Sequence, residues 1–206
     1  MSCKIYIVRH GETDWNKVRR IQGHTDIPLN SEGESQALML GNKFESINFS
    51  AIYSSDLSRA KRTAELIVNA KRLPVTTSEL LRERFWGIIE GENIDELNQL
   101  YGDHMKNFLT MLDPPKELLR PELATIETYK QTNERVMSYL SKLSEQHVEE
   151  EILVVSHSGV LKGLLMQLGG IHYGRCLIQN AGYLKLEFVN GAFELRHTEG
   201  IGVHKN

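Results

Sequence analysis

The fold is indicated first by the stretch Lys4-Ile5-Tyr6-Ile7-Val8-Arg9-His10-Gly11. A short β-branched apolar run that ends near a glycine is typical of a buried strand feeding a loop. A second apolar run, Ile152 to Val155, ends in Ser156-His157-Ser158-Gly159. Because ligands of open α/β sheets bind beyond the carboxyl ends of the strands, these two places are where we expect a ligand site, with His10 and His157 at the same edge of a sheet.

Strands and helices alternate along the rest of the chain. Further strands are predicted at 51–53 and 74–81, and helices at 31–47, from 57 to about 70, from 126 to about 147 and from 159 to 168. The first of these helices opens with the capping-box pattern Ser31-Glu32-Gly33-Glu34. Near the chain end, two strands around Asn190-Gly191 predict a hairpin with a tight turn. The sequence therefore predicts a three-layer α/β/α sandwich whose sheet is mostly parallel with one antiparallel edge strand.

The composition narrows the class of protein. The 206 residues favour a single domain, and 40% hydrophobic with 25% charged residues is ordinary globular usage. The net charge of −3 lacks the basic footprint of a nucleic-acid binder. Cys3 and Cys176 have no motif spacing, which excludes a disulfide framework and a cysteine-rich zinc site. No apolar run could span a membrane and the N-terminal run is too short for a signal peptide, so we expect a cytoplasmic protein without nucleic-acid or membrane partners.

Arginines accompany the two histidines. Arg9 directly precedes His10, and Arg59 comes early in a helix that follows a strand, which places it at the same end of the sheet. Arginine presents a fixed fork of donors suited to phosphate oxygens. A glycine shortly after each histidine lets the backbone approach a ligand. Histidine together with two arginines at one sheet edge predicts a phosphate pocket.

Four segments, in this order, resemble the histidine phosphatase superfamily, the family of phosphoglycerate mutase-like phosphatases. They are Arg9-His10-Gly11-Glu12-Thr13 with the run Asn16, Gln22-Gly23, Asp26, Pro28-Leu29 and Gly33; residues 54–64; Leu81-Arg82-Glu83 with Phe85, Gly87, Glu90 and Gly91; and residues 156–159. The resemblance covers most of the chain. It implies one histidine phosphatase domain over 1–206, with a substrate-capping segment at about 87–123.

The resemblance also implies a catalytic set. His10 would be the nucleophile that forms a phosphohistidine, and it must be neutral to attack. Arg9, Arg59 and His157 would hold the equatorial phosphoryl oxygens as charge shifts in the transition state. Glu83 would protonate the leaving oxygen and then activate water against the phosphohistidine. Should Glu83 not be the acid, Glu12 and Glu90 are the next candidates.

Further residues are expected to contact the substrate. These are Asn16, Gln22, Gly23, Trp86 and Ser158. No metal or other cofactor is implied, because the guanidinium groups supply the positive charge. The expected partner is a small phosphorylated metabolite. The oligomeric state is left open by the sequence, with a homodimer as one candidate because dimers are common among similar proteins.

The chain departs from the family pattern at places that bear on the reaction. Ser158 replaces the usual glycine, and Ile126-Glu127-Thr128 stands where many relatives carry Gly-Glu-Ser. Ile94 stands where the mutases carry a lysine, and the adjacent arginine pair of the mutases has no counterpart between Gly91 and Leu123. Since those cations hold the substrate carboxylate and the second phosphate in mutases, their absence favours hydrolysis.

Several alternatives remain open from the sequence. One is a cofactor-dependent phosphoglycerate mutase, which transfers a phosphoryl group between 2- and 3-phosphoglycerate. Another is a non-catalytic phosphoprotein- or nucleotide-binding module on the same fold, against which the complete catalytic set argues. A metal-dependent hydrolase using His10 and His157 would need a cluster of carboxylates that the sequence does not offer. The substrate itself is left open by the sequence.

Overall fold

The computed structural model describes residues 2–69, 72–97, 99–100, 102, 125–169 and 176–203. The strands are β1 (Ser2–Arg9), β2 (Ala51–Ser55), β3 (Val75–Ser78), β4 (Glu151–Ser156), β5 (Cys176–Val189) and β6 (Ala192–Val203). The helices are α1 (Asp14–Lys17), α2 (Ser31–Lys43), α3 (Ser58–Ile67), α4 (Tyr129–Gln146) and α5 (Ser158–Gly169), with short 3₁₀ turns at Glu79–Leu81 and Gly87–Ile89. Residues 94–97, 99–100 and 102 are also helical.

The strands form one six-stranded sheet in the order β3-β2-β4-β1-β5-β6. Strands β3, β2, β4 and β1 are parallel, whereas β5 runs antiparallel to β1 and β6 antiparallel to β5. The predicted mostly parallel sheet is confirmed. The antiparallel part is a hairpin of two long strands, and the strand with reversed direction is β5, one place in from the edge.

Helices cover both faces of the sheet because the central strands are apolar on both sides. In β4, Ile152 and Val154 pack toward α4 and α5, while Leu153 and Val155 pack toward α2 and α3. All four side chains are 0% exposed. Continuous apolar runs of this kind are expected of parallel strands buried between two helical layers. The predicted three-layer sandwich is therefore confirmed.

The start of α2 differs from the predicted capping box. The residue that caps this helix is Asn30, whose side chain accepts a hydrogen bond from the Gly33 N–H, and Ser31 already lies in the first turn. Asparagine is as good a cap as serine, because its side-chain oxygen reaches the same backbone donors. The predicted box at Ser31 was therefore wrong by one residue.

A small third cluster of apolar side chains lies beside the main core. It consists of Ile21, Ile89, Leu97 and Ile126, with Trp86 and Ile94 packed against it. Most of the predicted substrate-capping segment at 87–123 lies outside the described residues, so its role as a cap stays a prediction. Along the part of the chain that the structure describes, no helix has the length and apolarity needed to cross a membrane.

Candidate active site

His10 sits directly after β1 and is 3% exposed. Its backbone N–H donates to the carbonyl of Ser156 at 3.0 Å, which continues the pairing of β1 with β4. The ring Nδ1 lies 2.7 Å from the Gly11 carbonyl oxygen. Because a carbonyl can only accept, Nδ1 carries the proton and Nε2 keeps its lone pair. Burial, followed by the charges of Arg59 and Arg9, holds the pKa of His10 well below its ordinary value. His10 is therefore neutral with a free nitrogen lone pair.

His157 follows the neighbouring strand β4 and faces His10. The two ring centroids are 5.2 Å apart, and His157 is 0% exposed. Neither ring nitrogen of His157 makes a hydrogen bond to any residue that the structure describes. Burial and the charge of Arg59 hold the pKa of His157 well below its usual value. Since a neutral imidazole still carries one N–H, His157 can donate to an anion bound beside His10.

Arg59 is fully buried on α3, where an arginine side chain needs partners. Its two terminal nitrogens donate to the carbonyls of Thr25 and Gly23, each at 2.8 Å. One N–H on each terminal nitrogen and the Nε–H stay available, and the buried Nε has no partner among the described residues. Burial lowers the pKa of Arg59 to about 10, so the group is still charged at neutral pH.

Arg9 supplies a second positive charge from the end of β1. Its Nη1 donates to the carbonyl of Ile178 on β5, and its buried Nε has no partner within the described part of the chain. Burial lowers the pKa of Arg9 to about 10. The charge of Glu83 favours the charged form of both Arg9 and Arg59, which places this carboxylate in the field of the two arginines.

Glu83 is held by two backbone N–H groups. Its Oε1 accepts from the N–H of Arg84 at 2.8 Å, and its Oε2 accepts from the N–H of Gly159 at 2.9 Å. A Cβ on residue 159 would lie 2.1 Å from Oε1, so only glycine allows this approach. Each carboxylate oxygen has a second lone pair, which leaves room for a proton. The backbone two residues after His157 thus holds the carboxylate of Glu83, which belongs to a separate segment of the chain.

Sequence reasoning missed Arg135, which fixes the backbone that carries Glu83. From α4, its guanidinium donates to the carbonyls of Leu80, Arg82 and Glu83, at 2.8, 2.8 and 2.9 Å. Its remaining N–H groups form a bidentate pair with Glu127, at 2.7 and 2.9 Å. This gives Glu127, whose role the sequence left open, a partner. No sequence motif separates such an arginine from other helix arginines.

Asn180 was also missed. Its Nδ2 donates to the carbonyl of His10 at 3.2 Å and to Oδ1 of Asn16 at 3.3 Å. Thr13 donates to the same Oδ1 through its N–H and its hydroxyl, each at 3.2 Å. Asn16 therefore has a fixed acceptor and turns its Nδ2 donors elsewhere, as a phosphate contact requires. Asn180 reaches His10 and Asn16 because the pairing of β5 with β6 changes register between Ile178 and Tyr183. The sequence pattern does not predict this irregularity.

The remaining predicted contact residues differ in what the structure shows. Gln22 is buried, and its Oε1 has no partner among the described residues. Gly23 presents its carbonyl to Arg59. Ser158 begins α5 directly after His157. Trp86 packs over the Arg84 guanidinium, 4.5 Å from the ring centroid, and against the third cluster. For all of these residues, contact with a substrate stays a prediction.

The donors of the site suit an anion better than a cation. Charged arginines and an imidazole N–H surround a histidine lone pair, and one carboxylate stands beside them. In the described ranges, no group of three or more His, Cys, Asp and Glu side chains could hold a metal ion. The arrangement can bind a phosphoryl group, attack it with a nitrogen lone pair and move a proton at a carboxylate.

Comparison with known proteins gives a family match over almost the whole chain. The model of the histidine phosphatase superfamily (branch 1) matches residues 5–199. A curated relative, "Uncharacterized phosphatase PhoE" of Bacillus subtilis (strain 168), is 34% identical over 166 residues, which is 81% of this chain and 77% of the relative. "Probable phosphoglycerate mutase GpmB" of Salmonella arizonae is 36% identical over 163 residues, 79% of this chain and 73% of that protein.

A solved structure agrees in fold. A phosphoserine phosphatase mutant from Entamoeba histolytica in complex with phosphoserine superposes with a TM-score of 0.80 at 31% identity. The match covers 95% of this chain and 96% of that chain. Phosphatases and mutase-like proteins therefore both occur among the relatives.

Proposed function

The chain belongs to the histidine phosphatase superfamily (branch 1), and on that premise we propose that it hydrolyses the phosphomonoester of a small metabolite through a phosphohistidine on His10. The observation that carries the proposal is the state of His10. Its Nδ1–H is committed to the Gly11 carbonyl, and its pKa is lowered by burial and two arginines. A neutral Nε2 lone pair surrounded by cations is what attack on an anionic phosphorus requires.

The first half of the reaction transfers the phosphoryl group. Arg9, Arg59 and His157 bind the equatorial oxygens, and Nε2 of His10 forms a bond to phosphorus while the ester P–O bond breaks. Glu83 gives its proton to the leaving oxygen, which departs as an alcohol. The arginines offset the charge that shifts onto the oxygens in the transition state.

The second half returns the enzyme to its starting state. Water enters where the alcohol left, and Glu83, now a carboxylate, takes a proton from it as the oxygen attacks phosphorus. The P–N bond to His10 breaks and inorganic phosphate leaves. Glu83 serves as acid and then as base from one position, which its two backbone hydrogen bonds maintain. The proposed reaction uses no metal and takes place in the cytoplasm.

Three side chains favour hydrolysis over mutase activity. Ile94, at the position of the mutase lysine, packs against the third cluster. Arg82 is paired with Asp56, and Arg135 is committed to Glu127 and three carbonyls. Cations that already hold carboxylates are poor ligands for a second acidic group of the substrate.

The test measures phosphate release from a panel of phosphomonoesters, including phosphoserine and 3-phosphoglycerate, with and without EDTA. Quenched enzyme should carry an acid-labile, alkali-stable phosphate on His10, and His10→Ala should lose both the label and the activity. EDTA should leave kcat/KM unchanged, and vanadate should inhibit as a mimic of five-coordinate phosphorus. Full activity of His10→Ala, or loss with EDTA that Mg²⁺ restores, would refute the mechanism.

The mutase alternative is tested in the same assay. Enzyme incubated with 3-phosphoglycerate and 2,3-bisphosphoglycerate should release phosphate faster than it forms 2-phosphoglycerate. Isomerisation that outruns phosphate release by about tenfold, or roughly 1.4 kcal/mol in barrier height, would replace the hydrolase by a mutase.

A further inference from the structure

Glu90 has a complete set of hydrogen bonds. Its Oε1 accepts from the N–H groups of His24 and Trp86, each at 3.0 Å. Its Oε2 accepts from the N–H of Thr25 at 2.9 Å and from the Thr25 hydroxyl at 2.7 Å. A carboxylate offers about four lone-pair sites, so all are used. Glu90, one of the two reserve candidates for the acid, is thus tied to the protein backbone and is not a proton donor.

The loop that Glu90 holds is the loop that supports Arg59. The terminal nitrogens of Arg59 donate to the carbonyls of Gly23 and Thr25, each at 2.8 Å. The N–H groups of His24 and Thr25, in the same short turn, point to Glu90. The turn therefore directs its N–H donors to the Glu90 carboxylate and its carbonyl acceptors to the Arg59 guanidinium. Glu90 and Arg59 together fix the position of the turn.

Gly23 shows how closely Glu90 and this turn fit. Its φ is +54°, and a Cβ there would lie 2.1 Å from Oε1 of Glu90. The negative charge of Glu90 also favours the charged form of Arg59. The carboxylate thus sets the backbone geometry on which the guanidinium rests and stabilises its buried charge.

The same carboxylate reaches the loop of the proposed acid. Trp86, whose N–H it accepts, lies three residues after Glu83 in the chain. The side chain of Glu90 thereby links the turn that orients Arg59 to the segment that contains Glu83. We propose that Glu90 is a positioning residue that fixes the Arg59 fork relative to Glu83, an inference that rests on the proposed phosphoryl transfer.

The consequence for the reaction follows from geometry. After its two carbonyl contacts, Arg59 keeps one N–H on each terminal nitrogen and its Nε–H for phosphoryl oxygens. A guanidinium fork binds well only when it faces the oxygens in its own plane. Loss of the Glu90 contacts would release the turn and change the direction of the Arg59 guanidinium. A catalytic group misplaced by about 1 Å costs on the order of 100-fold in rate.

The experiment is a double-mutant cycle. Glu90→Gln keeps the size of the side chain but replaces one acceptor oxygen by an NH₂ group, which cannot accept from Thr25. We expect kcat/KM for p-nitrophenyl phosphate to fall at least tenfold in the otherwise natural protein and less than twofold in an Arg59→Met background. Equal losses in the two backgrounds would overturn the proposal, because a general structural defect does not depend on Arg59.

Controls separate positioning from loss of folding. Glu92→Gln, at an exposed glutamate two residues away, should leave kcat/KM unchanged. Thr25→Val removes one of the four hydrogen bonds without a change of charge, and it should lower kcat/KM about threefold, again only when Arg59 is present. This milder variant keeps the proposal testable if Glu90→Gln does not fold. No loss in Thr25→Val would count against the proposal.

Vanadate binding distinguishes this inference from the proposed function. If the natural protein hydrolyses no phosphomonoester, the hydrolase proposal fails, and the vanadate dissociation constant becomes the readout of the same cycle. A tenfold weakening by Glu90→Gln that disappears in Arg59→Met supports the positioning role. An unchanged vanadate affinity in Glu90→Gln overturns it, whatever the enzyme's activity.

Discussion

Substituting Gly159 by alanine should displace Glu83 without touching the phosphate ligands. The new Cβ would lie 2.1 Å from Oε1 and 3.0 Å from Cδ of Glu83. Comfortable contact between such atoms is about 3.5 Å, so the carboxylate must retreat by more than about 1 Å. The retreat also strains the hydrogen bond from the Gly159 N–H to Oε2, which is 2.9 Å long.

The expected loss depends on the leaving group. A displacement of about 1 Å costs on the order of 100-fold when proton transfer matters, which is roughly 2.7 kcal/mol of transition-state stabilisation. An alkyl phosphate such as phosphoserine needs its leaving oxygen protonated, so kcat/KM should fall about 100-fold. The p-nitrophenolate ion leaves without a proton, so kcat/KM for p-nitrophenyl phosphate should fall less than about tenfold.

The assay compares kcat/KM for both substrates in Gly159→Ala, Glu83→Gln and Gly163→Ala. Gly163 lies one turn further along α5, and a Cβ there would meet Oδ1 of Asn133 at 2.2 Å. This control imposes a similar clash on the helix but away from Glu83. Gly159→Ala should show the substrate dependence of Glu83→Gln, while Gly163→Ala should lose equally on both substrates. Equal losses for Gly159→Ala would remove Glu83 from the acid role.

The remaining predictions concern pH and the support of the Glu83 loop. Because burial and two arginines lower the pKa of His10, the fall of kcat/KM on the acid side of its pH profile should lie below pH 6.5. Arg59→Gln removes one of these charges and should move this fall to higher pH. An unchanged pH profile would contradict the assignment of the fall to His10. His10 and His157 stay neutral when folded but take up protons near pH 6.5 when unfolded, so the Tm should fall between pH 7 and pH 5. The fall should be smaller in His157→Asn, and an equal fall would contradict the shift. Arg135→Lys cannot replace five hydrogen bonds and should lower kcat about tenfold on alkyl phosphates, whereas Arg196→Lys, at an exposed ion pair, should not.

The layers of the fold could be predicted because the distribution of apolar residues along the chain indicates which elements are buried. The run Ile152–Val155 is apolar at every position, and the structure buries it between two helical layers. Helix ends were less certain. Asn30 and Ser31 are both good caps, and only the backbone conformation decides between neighbours. The hairpin was found from its turn, but the start of β5 was not, because the bulge near Asn180 interrupts the strand pattern.

The candidate site could be predicted where residues follow strand ends or stand in a family motif. His10, His157 and Arg59 were found in this way, and the structure brings them together. Asn180 and Arg135 come from elements far away in the chain, and each acts by bonding a backbone carbonyl. Any helix arginine or strand asparagine could do the same, so no residue pattern distinguishes them before the fold is known.

The two glutamates show why glycines belong to the site as much as the charged residues do. Glu83 lies against Gly159 and Glu90 lies against Gly23, and in each pair a Cβ would stand 2.1 Å from Oε1. Each carboxylate occupies the space that a Cβ would take, so it can lie there only because the neighbouring residue is glycine. The sheet brings the histidines together, but the directions of Glu83 and of the Arg59 fork are set by these backbone contacts. The precision of the site therefore comes from its loops, and conservative changes at either glycine act on the carboxylate that lies against it.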